Sequence, residues 1–227
     1  MSYLSWNTKI LPDFSDESME NLYDEGYIFT RIGKGYFTQT RSLRIDLSKF
    51  ELSSENRRIL RKMENIKMEL IPLPYENYHW SIHKLAKDFY SKFGDNIFSA
   101  NKVKELLTDP EKSNFNRLIT FTQDIHESSG NAAEQAETLG YCVALETKKI
   151  LHYSYPFYKG SEKNPSFGLG MMTKAIMWAK ENGKKYIYLG SLQRPSDTYK
   201  LQFSGSEWFD GKAWSNDFSE IAKILKQ

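Results

Sequence analysis

The sequence of 227 residues predicts an α+β fold, with a mixed sheet flanked by helices and an N-terminal region made of a hairpin and a helix. Two observations lead to this prediction. Along the second half of the chain, stretches with helical or strand-like spacing of apolar residues follow one another in the order ααβ, ββ, αβ and α. Near the N-terminus, the Gly-Lys-Gly sequence at 33–35 is a hairpin signal, and a basic helix with a capping serine follows it.

Capping and turn residues mark the elements of the first part of the chain. We expect a helix over 15–23 closed by Gly26, strands over 27–32 and 36–47 around the Gly-Lys-Gly turn, and a helix from Ser53 to Met63. Pro72 and Pro74 then interrupt the chain. We therefore place a domain boundary there, between a hairpin and basic-helix region over 1–72 and a second domain over 73–227.

Apolar periodicity and glycines mark the elements of the second part of the chain. We expect helices over 79–93 and from Ser99 to about 109, a strand over 117–125, an exposed loop over 127–138, and a hairpin of strands 140–146 and 150–157. A loop that ends in Gly168-Leu169-Gly170 then opens a helix closed by Gly183, a buried strand covers 185–189, and Asp217 caps a last helix through Leu225.

Composition excludes several classes of protein. The formal net charge is only +2, which argues against a polybasic binder but allows a local basic face. Cys142 is the single cysteine, so a disulfide framework or a thiolate metal site within one chain is excluded. No apolar run is long enough for a membrane span, and the N-terminus lacks a signal-peptide pattern. We expect a soluble, cytoplasmic protein without a membrane partner, and a monomer.

The usual catalytic and metal-binding patterns are weak in this chain. His79 and His83 have the spacing of two zinc ligands on a helix, but the neighbouring glutamate of a metalloprotease is absent and no third ligand is evident. We therefore interpret them as surface or partly packed histidines. There is no G-x-S-x-G elbow, and Cys142 has no histidine at a recognisable spacing, so a serine or cysteine triad is not predicted.

Two features allow both a functional and a structural interpretation. The order of strand, glycine turn, helix and strand over 153–190 is the one that acyltransferases of the GNAT type use, and free amides at Gly168 to Gly170 would suit a phosphate or an acyl carbonyl. Tight strand-to-helix packing explains the glycines equally well. Arg57, Arg58, Arg61 and Lys62 form either a solvated helix face or a contact surface for phosphates or a carboxylate.

Two distant segments together resemble one family, the arginyl-tRNA–protein transferases and their bacterial aspartate/glutamate leucyltransferase relatives. In the first segment, the residues that match the family's hairpin and basic-helix signature are Phe50, Ser53, Arg57, Arg58, Leu60 and Arg61. In the second, the residues that match its C-terminal half, in the family's order, are Tyr158, Gly168, Tyr188-Leu189-Gly190, Tyr199-Lys200, Phe203 and Glu207. The resemblance covers roughly residues 20 to 215 and implies a GNAT-like fold, similar to acyl-CoA N-acyltransferases.

The resemblance implies an aminoacyltransferase of the N-degron type, which moves arginine or leucine from aminoacyl-tRNA to the N-terminal amine of a protein, one with an acidic first residue. Tyr199 and Lys200 would be the catalytic pair. The residues that would bind tRNA or substrate are Arg57, Arg58, Arg61, Tyr155, Tyr158, Gly168, Leu169, Gly170 and Phe203. Where the family has a cysteine cluster, this chain reads YFTQTRS, so we expect no iron–sulfur cluster and no other cofactor.

Two alternatives remain open from the sequence. One is a GNAT enzyme that uses acyl-CoA, although Pro165 stands where such enzymes usually carry Arg or Gln. The other is a relative that binds tRNA or protein N-termini without turnover. Lys159-Gly160 in place of the family's Asp-Pro favours this second alternative, as does the absence of the cysteines. Measured binding of CoA, or tRNA binding without transfer, would distinguish them.

Overall fold

The computed structural model describes residues 3–94, 97–125, 135–160 and 165–226. Its helices are α1 (Asp16–Asp24), α2 (Ser54–Lys62), α3 (Trp80–Tyr90), α4 (Ala100–Thr108), α5 (Phe167–Glu181) and α6 (Ser219–Ile224). Its strands are β1 (Asn7–Ile10), β2 (Tyr27–Phe29), β3 (Tyr36–Gln39), β4 (Ser42–Asp46), β5 (Ile66–Pro72), β6 (Arg117–Ile125), β7 (Gln135–Glu146), β8 (Ile150–Tyr158), β9 (Tyr186–Ser191), β10 (Ser206–Phe209) and β11 (Trp214–Ser215). Short 3-10 helices cover Ser91–Phe93 and Pro195–Gln202.

The strands form two sheets. The smaller has the order β1-β3-β2, and the larger has the order β11-β10-β4-β9-β8-β7-β6-β5. Within the larger sheet, β8 and β9 run parallel, and α5 connects them, as a parallel pair requires a crossover. The pairings of β4, β6 and β10 with their neighbours are antiparallel. The predicted α+β fold with a mixed sheet is therefore confirmed, including the strand–helix–strand order of its GNAT-like part.

The chain divides into two compact units that interleave along the sequence. Unit 1 comprises Met1–Ser53, Leu145–Ser154 and Ile176–Gln227, and unit 2 comprises Ser54–Ala144 and Tyr155–Ala175. Unit 1 has a core rich in aromatic and aliphatic side chains, including Tyr23, Phe29, Phe37, Leu43, Ile45 and Tyr188. The core of unit 2 includes Ile59, Met63, Leu106, Phe121 and Phe157. The boundary expected at residues 72 and 73 stays a prediction.

Local capping explains why several helices begin where the sequence predicts. The Ser15 hydroxyl accepts a hydrogen bond from the Ser18 amide at the start of α1. The Ser99 hydroxyl does the same for the Lys102 amide at the start of α4. A serine at this position satisfies one of the amides that has no partner within the helix. Strand β6 has the predicted bounds.

The strands of the N-terminal region differ from the prediction. The run expected as one strand over 36–47 is two strands, β3 and β4, which belong to different sheets and are separated at Thr40 and Arg41. No glycine, proline or other turn residue stands between the two strands, so the sequence pattern does not reveal the change of sheet. Strand β2 is also shorter than expected, because its pairing with β3 ends at Phe29.

Three further differences concern the middle of the chain. Strand β5 is missing from the sequence-based prediction, although Ile66, Met68 and Leu70 alternate with the exposed Lys67 and Glu69. Residues 135–138, expected as part of a loop, belong to β7. The rest of that expected loop, residues 127–134, lies outside the described residues. Helix α5 begins at Phe167, so Gly168 and Gly170 lie within its first turn and not in a loop before it.

Candidate functional site

A buried hydrogen bond joins Tyr23 and His152 in unit 1. The Tyr23 hydroxyl lies 2.7 Å from His152 Nδ1, and both side chains are buried. The Phe29 amide donates to the Tyr23 oxygen at 3.4 Å. Burial and, secondarily, the charge of Lys200 lower the pKa of His152 to about 3, so the ring is neutral at physiological pH.

Arg44 is the centre of a second polar cluster in unit 1. Its guanidinium lies between the rings of Tyr186 and Trp214, with its carbon 3.9 Å and 4.0 Å from the two ring centroids. Nε donates to Glu207 at 2.9 Å and Nη1 donates to Asp24 at 3.0 Å. A buried arginine held by two carboxylates and two rings is fully charged and rigidly placed.

Neither Arg44 nor His152 stands out in the sequence as a functional residue. Their partners come from distant parts of the chain, since Tyr23 precedes His152 by 129 positions and Glu207 follows Arg44 by 163. The only local signal is that each is a polar residue in the middle of an otherwise buried strand, β8 and β4 respectively. Such a residue needs a partner, but the sequence does not say which.

The predicted catalytic pair, Tyr199 and Lys200, lies in the 3-10 helix Pro195–Gln202 of unit 1. The Tyr199 side chain is exposed. Lys200 Nζ donates to the carbonyl oxygen of Ser191, at 3.1 Å, and forms an ion pair with Asp197 Oδ1, also at 3.1 Å. Lys200 therefore ties the 3-10 helix to the carboxyl end of β9, and its charge contributes to the field at His152.

Asp197 organises this turn. Its Oδ2 atom accepts hydrogen bonds from the amides of Gln193 and Arg194, both at 2.9 Å, while its other oxygen faces Lys200. One carboxylate thus satisfies two amides that would otherwise lack acceptors at the start of the 3-10 helix. Phe203, predicted to bind substrate, ends this helix with its side chain buried against Phe50. Its substrate-binding role stays a prediction.

The predicted arginines lie on α2 in unit 2 and differ in their surroundings. Arg57 and Arg61, one helical turn apart, line a surface depression of about 670 Å³ together with Ser54, Leu60 and Glu64. Arg58 points elsewhere on the helix, where its Nε and Nη2 atoms contact both oxygens of Glu55, at 2.7 Å and 2.6 Å. The structure therefore brings Arg57 and Arg61 together and engages Arg58 with a carboxylate of its own helix.

The glycines at the start of α5 are sites of close packing in unit 2. A Cβ atom on Gly168 would lie 2.6 Å from the Tyr158 hydroxyl, and one on Gly170 would lie 2.6 Å from Cγ of Met63. The Gly170 amide donates to the Ser166 carbonyl at 2.9 Å, so the amides left without a helical acceptor are those that precede it, which include Gly168 and Leu169. Burial raises the pKa of Tyr158, which packs beside this turn.

Tyr155 has the backbone conformation most unusual for its residue type. Its φ of 48° lies in the left-handed region, which residues other than glycine rarely adopt, and Tyr155 falls within β8. Such a conformation costs free energy in an aromatic residue and is held by its surroundings. The Tyr155 ring packs against Phe98, 5.3 Å between centroids, and edge-on to Phe115. The predicted role of Tyr155 in substrate binding is untested.

His79 and His83 have the structural surroundings expected of surface or partly packed histidines. His79 caps α3 through Nδ1, and His83 contacts the Tyr78 hydroxyl. Cys142 is buried within β7. Among the described residues, no three His, Cys, Asp or Glu side chains are grouped so that they could hold a metal ion. Within the same residues, no helix has the length and apolarity that a membrane crossing requires.

Solved structures with similar folds include L-PGS from Bacillus licheniformis and FemX. The first has a TM-score of 0.50 at 12% identity and covers 92% of this chain and 68% of its own. The second has a TM-score of 0.50 at 9% identity and covers 93% of this chain and 71% of its own. At these identities the likeness concerns the fold alone.

Two curated relatives are named aspartate/glutamate leucyltransferase. The protein from Saccharophagus degradans is 20% identical over 206 residues, which is 86% of this chain and 83% of the relative. The protein from Dinoroseobacter shibae is 23% identical over 216 residues, which is 91% of this chain and 75% of the relative. The family model described as arginine-tRNA-protein transferase, C terminus, matches residues 73–210. Because that match covers more than half of the chain, the protein belongs to the arginine-tRNA-protein transferase family and is an aminoacyl-tRNA–protein transferase.

Proposed function

We propose that this transferase moves leucine from leucyl-tRNA to the N-terminal amine of proteins that begin with aspartate or glutamate. The observation that carries the proposal is the likeness to two aspartate/glutamate leucyltransferases over most of their length. The family model carries the name of the arginine enzyme, so arginine is the competing donor. The proposal selects leucine because both relatives align along nearly the whole chain.

The reaction needs positioning more than it needs a nucleophilic side chain. The neutral α-amine of the acceptor attacks the ester carbonyl of the aminoacyl-tRNA. A C–N bond forms, the ester C–O bond breaks, and the ribose oxygen of the terminal nucleotide leaves with the proton that the amine gives up. Because the ester is already activated, alignment of the two substrates and hydrogen bonds to the developing oxyanion supply the acceleration.

In this proposal, Tyr199 and Lys200 act at the donor ester. The Tyr199 side chain is exposed and its hydroxyl can donate to the ester carbonyl or to the terminal ribose. Lys200 holds the turn that carries Tyr199, through its bonds to Ser191 and Asp197. The role expected for the amides of Gly168 and Leu169, at the start of α5 in unit 2, stays a prediction.

Recognition of the acidic acceptor falls to Arg57 and Arg61. Their shared depression is large enough for a short peptide segment, and a guanidinium pair one helical turn apart suits a carboxylate. Glu64 also lines the depression and would oppose a second negative charge, which favours a single acidic side chain over a polyanion. Arg58 is the natural comparison, because Glu55 already accepts two hydrogen bonds from it.

The proposed reaction uses no resident cofactor. An iron–sulfur cluster needs several thiolates, whereas this chain has one cysteine, and that side chain is buried. A monomeric state and a cytoplasmic location stay predictions.

The test is a transfer assay with tRNA charged separately with labelled leucine and arginine, and with peptides that begin with Asp, Glu or Ala. We expect label from leucyl-tRNA on the Asp and Glu peptides. Label from arginyl-tRNA alone would contradict the choice of donor, and acetyl transfer from acetyl-CoA without any aminoacyl transfer would contradict the reaction. The variant R57Q/R61Q should raise KM for acidic peptides with kcat little changed, while R58Q, the matched control on the same helix, should behave as wild type.

A further inference from the structure

Three separate segments of unit 1 meet at the carboxyl end of β9: residues 3–6, 40–41 and 191–200. We call this the β9-end surface. The Leu192 amide donates to the Arg41 carbonyl at 2.8 Å, and the Leu4 amide donates to Gln193 Oε1 at 3.1 Å. Thr40 Oγ1 donates to the Leu4 carbonyl at 2.8 Å and accepts from Gln193 Nε2 at 2.7 Å. The segments therefore form one connected surface.

The charge of the β9-end surface is positive. Its three segments contain the basic residues Arg41, Arg194 and Lys200 and a single acidic residue, Asp197. The carboxylate of Asp197 forms an ion pair with Lys200. Within the described ranges, no ion pair joins Arg41 or Arg194 to another residue. Arg41 is also partly buried, and this desolvation lowers its pKa. A partly desolvated guanidinium without a counter-charge favours the approach of an anion.

Exposed aromatic rings accompany these arginines. Tyr3 is 54% exposed, Tyr199 is 44% exposed and Trp6 is 40% exposed. Tyr3 and Trp6 lie on the first of the three segments, and Tyr199 lies on the third. The Tyr3 hydroxyl is fixed by a 2.5 Å contact with Ser191 Oγ, and the Trp6 ring meets Phe209 edge-on. These contacts hold the rings at their edges while much of each ring remains accessible to solvent.

From this combination of features we infer that the β9-end surface binds the single-stranded 3′ end of the donor tRNA, with Arg41 and Arg194 on its phosphates and the exposed rings against its bases. The inference rests on the proposed function and adds the location at which the donor is held. Unpaired nucleotides bind proteins through cations that follow the backbone and aromatic rings on which bases stack. An acidic peptide would use the arginines but would have no use for the rings.

The placement also agrees with the chemistry of the donor. Tyr199 belongs to this surface and is the group proposed to contact the donor ester, which is carried on the last nucleotide of the same single strand. A strand that runs along Arg194 and Arg41 toward Tyr199 would present its terminal ribose at that hydroxyl. Lys200 contributes mainly by holding the turn that carries Tyr199, because its ion pair with Asp197 neutralises its charge.

The test measures direct binding of uncharged leucine tRNA, intact or with its unpaired 3′ nucleotides removed, by fluorescence anisotropy. We expect removal to weaken binding to the wild-type protein by about tenfold, since each stacked base contributes about 1–3 kcal/mol. R41Q/R194Q should bind intact tRNA about tenfold more weakly and should be nearly insensitive to the removal. K87Q/K104Q, which removes two exposed cations from α3 and α4, is the charge-matched control and should keep the wild-type response.

Salt dependence provides a second measurement. Loss of two phosphate contacts to a single strand should reduce the slope of log K against log salt concentration by about 1.4. Equal sensitivity of wild type and R41Q/R194Q to the removal of the 3′ nucleotides would overturn the inference, as would a loss of acidic-peptide binding in the variant with tRNA binding unchanged. A wild-type protein that binds the 3′ end but transfers no amino acid would overturn the proposed function and leave the inference standing.

Discussion

The start of α5 and the carboxyl end of β9 both carry residues that the resemblance assigns to the reaction, and the structure gives them different surroundings. At the start of α5, Gly168 and Gly170 face Tyr158 and Met63 so closely that a single added carbon would overlap them. At the end of β9, arginines and exposed rings surround a turn fixed by Asp197. Glycines at a helix start can thus serve close packing, while the residues that suit a ligand gather at the turn after β9.

The largest expected effect tests the packing at the start of α5. G170V should destabilise the protein by about 3 kcal/mol, because the added carbons must displace Met63 in a closely packed core. Urea unfolding measures the change. G33V is the matched control, since a Cβ at Gly33 would meet no heavy atom within 4 Å, and its stability should stay within about 0.5 kcal/mol of wild type. Equal stability of the two variants would show that the first turn of α5 is not packed as described.

The next effect concerns the buried imidazole of His152 on β8, which pairs with Tyr188 of β9. The pKa of His152 is about 3 in the folded protein, compared with 6.5 in the unfolded chain. The unfolded state therefore binds more protons between these values, and the free energy of unfolding should fall by about 1.4 kcal/mol for each pH unit below about 6. H152Q should be less stable than wild type at pH 7 and should show a smaller decline between pH 6 and pH 4. Parallel pH profiles for the two proteins would contradict this assignment.

A smaller effect tests the turn that carries Tyr199. D197N should lose the ion pair with Lys200 and weaken the bonds from the Gln193 and Arg194 amides, at a cost of about 1–2 kcal/mol. It should also reduce kcat for aminoacyl transfer, because the turn would no longer hold Tyr199 in place. D88N removes a carboxylate from an exposed pair on α3 and should leave both the urea midpoint and the rate unchanged. A wild-type kcat in D197N would show that catalysis does not depend on the turn that carries Tyr199.

The smallest effect is expected at α2. R58Q removes an exposed ion pair with Glu55, and the urea midpoint should not change measurably. R57Q and R61Q should be equally stable, so any change in peptide KM in these two variants reflects recognition. The comparison fails if R58Q alters peptide KM as strongly as R57Q does.

The fold could be predicted from the sequence wherever a local signal determines an element. Ser15 and Ser99 cap helices because the capping bond spans three residues, and polar sequence stands on both sides of β6. The division of 36–47 into β3 and β4 could not be predicted, because it depends on strands that arrive from β1 and β9. Strand β5 could have been predicted, because Ile66, Met68 and Leu70 alternate with the exposed Lys67 and Glu69, and its pairing with β6 agrees with that pattern.

The candidate site was less accessible to prediction than the fold. Tyr199 and Lys200 are adjacent in the chain, so the sequence places them together without a structure. Arg41 and Arg194 are 153 positions apart and meet only because β4 lies beside β9 in the sheet. His152 and Arg44 depend in the same way on partners from other elements. Long-range pairing therefore determines which polar residues act together.

The position of β4 in the sheet has a consequence for any shortened form of the protein. This strand precedes residue 73, where the family match begins, yet it pairs with β10 on one side and β9 on the other. A fragment that starts at residue 73 would leave both of those neighbours with open edges, and exposed strand edges recruit other chains. Expression of that fragment should yield aggregates, whereas supplying residues 1–72 as a separate peptide offers a route to a complemented, split transferase.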